Sequence, residues 1–147
     1  MEILRYILST NGDWTGLILR LTLAVMIFPH ATQKVFGWFG GGGFKGTMGY
    51  LTGSGLPTIV AFCVIAFEFF GSLMLFTGMG TRFAAAMVGC VMLGAMLKVH
   101  LPNGFFMNWQ GSAKGEGIEF FLLALGIVFA LIVNGGGKFA VDSLFCR

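Results

Sequence analysis

The sequence predicts an all-α integral membrane protein: a bundle of four transmembrane helices, with a short interfacial or re-entrant helix between the first and second spans. Hydrophobic residues make up 56% of the 147-residue chain and charged residues only 10%, whereas a water-soluble domain must cover most of its apolar surface with charge. The mean hydropathy is +0.88. Apolar runs near the roughly 20 residues that cross a hydrocarbon core recur four times, at residues 16–35, 57–77, 83–101 and 117–134.

Taken in order, an amphipathic head (MEILRYILSTNGDW) precedes the first run and lacks the small-residue cleavage site of a secretory signal, so the first span is expected to act as the insertion signal. The connection FGWFGGGGFKGTMGYLTGSGLP follows it. There Phe44, Met48 and Leu51 recur at helical spacing, which predicts the short surface or re-entrant helix. The tight turn TGMGTR joins spans two and three, and HLPNGFFMNWQGSAKGEG joins spans three and four. These pieces account for residues 1–147 as one membrane domain with no soluble domain.

Four spans put both termini on one side. Arg5, Arg82, Lys138 and Arg147, with Arg20 just inside, flank that side; Lys34, Lys45 and Lys114, with Lys98 just inside, flank the other. The basic bias favours cytoplasmic termini in a cell (inner) membrane. Basic boundary residues also explain the net charge of +3 without a nucleic-acid partner. Cys63, Cys90 and Cys146 have no paired or metal-type spacing and read as packing residues. Trp14, Trp38 and Trp109 read as an interfacial aromatic belt.

The ionisable residues inside the spans are the chemical signal. Projected at 100° per residue, Glu68 shares a stripe with Ala61, Val64, Ile65, Gly71, Ser72 and Leu75, and Arg20 shares one with Ala24, Ile27, Ala31 and Lys34. Glu119 aligns with Gly126 and Ala130, and His100 with Met96, Leu93 and Gly89. Small residues mark close helix contacts in membranes, so each stripe is expected to face inward. A charge at the bilayer centre is costly unless paired or functional. From the rise per residue, Glu68 lies ~16 Å from the Pro57 end and Arg20 ~6 Å from the opposite face, so an Arg20–Glu68 ion pair is expected. His30, Lys34, His100 and Glu119, together with Trp38, Asn103, Trp109 and Glu116, form an expected polar pocket at the end carrying the two long connections. Lys34 with Glu119, like Arg20 with Glu68, would equally serve to fix helix order.

The stretches RLTLAVMIFPHATQKVFGWFGGGG, EFFGSLMLFTGMGTRFAAAMVGCVMLGAMLKVHLPNGFF and GEGIEFFLLALGIVFALIVNGGGKFAVD resemble the DoxX family of small four-span membrane proteins, over about residues 16–142. Ala31 departs from the glycine usual after the span-one histidine. The resemblance implies functional weight at His30, Lys34, Glu68, Arg82, His100, Asn103, Gly104, Glu119 and Asp142. It also implies redox chemistry near the quinone pool, since such proteins include a small subunit of a thiosulfate:quinone oxidoreductase and members linked to thiol redox homeostasis and to quinone or catechol resistance.

Three expectations of different class follow. In the first, the chain is a quinone-interacting component of a membrane oxidoreductase or redox-stress system: His30, Lys34, His100, Asn103, Trp38 and Glu119 contact the head group, and Glu119, Glu68 and His100 act on protons. In the second, it is a non-catalytic membrane anchor or scaffold that recruits a soluble oxidoreductase; association into a homo-oligomer is compatible with any of the three. In the third, His30, His100, Glu68 and Glu119 hold a metal, which the depth difference between the two carboxylates disfavours. No haem-attachment, flavin or iron–sulfur motif is present.

Overall fold

The structure, a computed structural model, describes residues 8–145; Arg5, Cys146 and Arg147 lie outside the described residues. The described chain is helical without strands. Helix α1 spans Trp14–Phe36, α2 Gly43–Gly53, α3 Thr58–Thr77, α4 Thr81–Ala95 and α5 Glu119–Asn134. Helix α4 runs on through a π turn, Met96–His100, and a 3-10 turn, Leu101–Asn103. The four long elements begin and end within two residues of the apolar runs in the sequence.

Local chemistry sets these boundaries. Asp13 precedes α1 and its carboxylate accepts from Gly16 N at 2.8 Å, satisfying one of the orphan donors of the first turn. Left-handed Gly37 stops α1, and left-handed Gly78 stops α3, whose start follows Pro57. Helices α1, α3 and the extended α4 are long and apolar enough to cross a membrane; α5 is apolar but has 16 residues. At 1.5 Å per residue, α5 reaches ~24 Å, short of a ~30 Å core.

Helix α1 packs against α3 and α5, and α4 against α3 and α5, so the four form a ring with α1 and α4 at opposite corners. Its interior holds Leu23, Ala24, Ile27, Leu75, Ala84, Ala85, Val88, Ala124, Val128 and Leu131. Apolar side chains gain nothing by leaving lipid for one another, so close approach must supply the packing. A Cβ on Gly71 would stand 2.9 Å from Val88 Cγ2, and one on Gly89 2.8 Å from Val128 Cγ1, so these glycines set the α3–α4 and α4–α5 spacing. Helix α2 rests on α1 and α3, with Phe44 edge-on to Phe62 at 6.3 Å, and buries none of its residues.

Two expected stripes differ from the structure. On α5 the buried face is Phe121, Ala124, Val128 and Leu131, while Glu119 and Gly126 are exposed. Glu119 turns to the preceding connection, where its Oε2 accepts from Met107 N at 3.1 Å. On α4, Met96 is buried but Leu93 is 44% exposed, because the wider π turn changes the angle between successive side chains before His100. On α1 the stripe is buried at Arg20, Ala24, Ile27 and Ala31 and half-buried at Lys34; on α3 it is buried at Ala61, Ile65, Glu68, Gly71, Ser72 and Leu75 and half-buried at Val64.

Candidate functional site

The central polar contact of the bundle joins Lys34, near the end of α1, to Glu68, midway along α3, with Nζ donating to Oε2 at 2.5 Å. The expected Arg20–Glu68 pair does not form. Helical side chains lean toward their helix's N-terminus. In the antiparallel α1 and α3, Lys34 therefore leans into the bundle while Glu68 leans up toward it. Arg20 leans the same way as Lys34, which takes it away from Glu68 toward the termini, and it is 2% exposed there. Its guanidinium donates to the carbonyls of Leu75 (3.0 Å), Phe76 (2.7 Å), Gly136 (2.8 Å) and Lys138 (3.2 Å). Cationic donors suit the carbonyl end of α3, where the helix dipole is negative.

Lys34 is 26% exposed and the Glu68 side chain 4%. Above them is a hollow of about 390 Å³, lined by Gln33, Lys34, Gly41, Gly42, Gly46, Thr47 and Tyr50. The glycine-rich connection builds it. Gly41 sits so close to α1 that a Cβ would fall 2.4 Å from the Gln33 carbonyl oxygen, whereas a Cβ on Gly46 would meet nothing within 4 Å. The roof is thus pinned at Gly41 and open at Gly46. Helix α2 starts at this hollow without a side-chain cap.

The other predicted site residues separate from this pair. His30 lies on the exposed side of α1, and among the described residues no hydrogen bond joins it to Lys34, His100 or Glu119. Trp38 is 52% exposed and packs on Phe36 at 5.3 Å. His100 and Asn103 converge instead on the Glu116 carbonyl, through Nδ1 at 2.9 Å and Nδ2 at 3.1 Å, and the His100 ring lies 4.3 Å from that of Phe121. Gly104 O accepts from Ile118 N at 3.2 Å, while Glu116 and Glu119 accept from the backbone of Asn108 and Met107. The four-residue pocket therefore divides into a hollow between the end of α1, the glycine-rich connection and α2, backed by the ion pair to α3, and a second network folding the 101–118 connection. Lys34 is bonded to Glu68, not Glu119. Among the described residues no three histidine, cysteine or acidic side chains come together to hold a metal.

At the opposite end the remaining motif residues cap helices. Asp142 is 1% exposed and accepts from Gly80 N (2.5 Å) and Thr81 N (2.8 Å) at the start of α4. Arg82 donates to Ile132 O, to Val133 O (2.9 Å), and to Ser9 O and Oγ (3.2 Å each), closing the end of α5. The segment linking these groups passes directly over α1: Gly137 has φ +71, and a Cβ on it would lie 2.4 Å from Leu17 N. The hollow's lining by Gln33, Gly46, Thr47 and Tyr50 went unforeseen from sequence, and the glycine run was its one visible signal.

Four apolar helices closed around an ion pair, with a glycine-rich roof over it, define a small multi-pass membrane protein with a built polar site at one end. The chain belongs to the DoxX family, whose profile matches residues 15–101 and so takes in Lys34, Glu68, Arg82 and His100. A protein of Bacillus subtilis (strain 168) named "Putative oxidoreductase CatD" is 27% identical over 126 residues, covering 86% of this chain and 83% of the relative. No solved structure matches the chain.

Proposed function

We propose that this protein is a quinone-interacting component of a membrane oxidoreductase system, and that the head group binds in the hollow beside Lys34. The observation that carries this is the Lys34–Glu68 pair, a cation and a carboxylate held inside a membrane bundle, with Lys34 itself lining a cavity. Interior charges in membrane proteins default to a functional role. About 390 Å³ lies in the range of small-molecule sites, enough for a ring head group. Lys34 supplies a charged donor to a ring oxygen, and Gln33, Thr47 and Tyr50 supply further polar groups around the lining. The similarity to a protein named as an oxidoreductase agrees with this class. The electron-transfer partner lies outside the chain, and the termini face the cytoplasm.

Binding of a short-chain quinone to the purified protein, followed by quenching of tryptophan fluorescence, tests the proposal. Lys34→Ala should weaken binding by at least about tenfold, the worth of a charge-assisted hydrogen bond, while Cys63→Ala leaves it unchanged. Equal affinity in Lys34→Ala and wild type would remove the site and leave the anchor role in its place.

A further inference from the structure

Seen from the hollow, Lys34 and Glu68 are not equivalent. Lys34 lines the cavity, whereas the Glu68 carboxylate stands behind the ammonium at 2.5 Å and is not part of the lining. A carboxylate so placed meets an occupant only through the lysine. Lysine carries three protons, so the ammonium can hand one to Glu68 on its inner side and, as the neutral amine so formed, take another on its outer side. No ion then has to enter the interior.

We infer that Lys34 and Glu68 form a proton relay, and that the hollow takes the hydroxyl-bearing, reduced form of an aromatic head group. The inference rests on the head-group site proposed above. In the step, a proton on the Lys34 ammonium first moves along the existing hydrogen bond to Glu68 Oε2, which leaves Nζ a neutral amine with a free lone pair. The O–H bond of the bound hydroxyl then breaks and its proton joins that lone pair, restoring the Lys34 ammonium. The products are a phenolate beside the Lys34 ammonium and a neutral Glu68 carboxyl, with the net charge of the site unchanged. A quinone carbonyl accepts from Lys34 but returns no proton to the carboxylate, so only the hydroxyl form engages both members of the pair. Two features favour the exchange. A neutral carboxyl is less costly to keep in the bundle interior than an ion. The developing phenolate sits beside the Lys34 ammonium, in a hollow lined by Gly42 and Gly46 at the N-terminal end of α2, where the helix dipole favours negative charge.

The test uses para-nitrophenol, whose ionised form has its own visible band, bound to the full chain in detergent at a pH where the free probe is mostly neutral. Binding should bring up the ionised band without net release of protons into a weakly buffered medium, because Glu68 keeps the proton. Lys34→Gln should lose the band. Gly46→Leu, which fills the open part of the hollow on an unstrained helical residue, should lose binding. Glu68→Gln should release a proton for each probe ionised. The wild-type proton count decides the matter even if that variant does not fold. A proton released by wild type for each ionised probe overturns the relay, as does a bound probe that stays neutral. Binding of para-nitroanisole, which has no proton to give, as tightly as a still-neutral para-nitrophenol would overturn the relay while leaving the head-group site standing. Failure of both probes and of a quinone to bind would overturn both.

Discussion

Lys34 finds Glu68 rather than Glu119 because a long side chain reports the direction of its helix as well as the depth of its Cα. The depth of Glu68 was legible in the sequence, as was the inward face of α3; the partner was not, because counting rise per residue ignores the lean toward the N-terminus. That lean separates Arg20 from Glu68 and brings Lys34 to it. Breaking a buried pair from one side costs ~3–5 kcal/mol because the other charge is stranded, and the partial exposure of Lys34 reduces this. Thermal melting in detergent should therefore show Glu68→Ala and Lys34→Ala to be coupled, the double variant losing less than the two singles together. Arg20→Ala and Glu68→Ala should add independently. Coupling between Arg20 and Glu68 with none between Lys34 and Glu68 would reverse the assignment.

Elements are held at the terminal end by exchanged caps. Asp13 caps α1, Arg20 closes α3, Asp142 opens α4 and Arg82 closes α5, each with the sign that the helix dipole favours. Resemblance singled out Arg82 and Asp142 from the sequence, but their work is visible only when the Gly135–Lys138 segment is seen folding back over α1. Hydropathy could not show this, because the groups capped are backbone atoms of elements far apart in the chain. The spans themselves were legible to within two residues, since length and apolarity are what the bilayer demands. The α5 face was not, because Gly126 sits in the exposed surface despite its size. Asp142→Ala should lower stability by about 1–2 kcal/mol or more, the usual worth of an N-terminal cap, with Asp142→Asn losing less. Gly137→Ala should be the more damaging change, since it combines φ +71 with a backbone clash. Melting temperatures of the three variants check this order, and a Gly137→Ala protein as stable as wild type contradicts the close passage over α1.

At the scale of the whole molecule, the ring of α1, α3, α4 and α5 separates a capped, closed end from an end carrying two long connections. Cysteines placed at Lys45 and Lys114 should therefore label from one side of the membrane and one at Lys138 from the other; labelling of all three from a single side would break the topology. Two polar regions occupy the open end: the hollow over Lys34 and the network of His100, Asn103, Glu116 and Glu119 in the 101–118 connection. Only the first combines an interior ion pair with a cavity lined by one of its members, which is why the head group is assigned there. Photolabelling of the membrane-embedded protein with an azido-quinone, followed by peptide mapping, tests that assignment most directly. The label should fall within residues 33–50 and disappear in Gly46→Leu, whereas a label confined to residues 103–119 would contradict it.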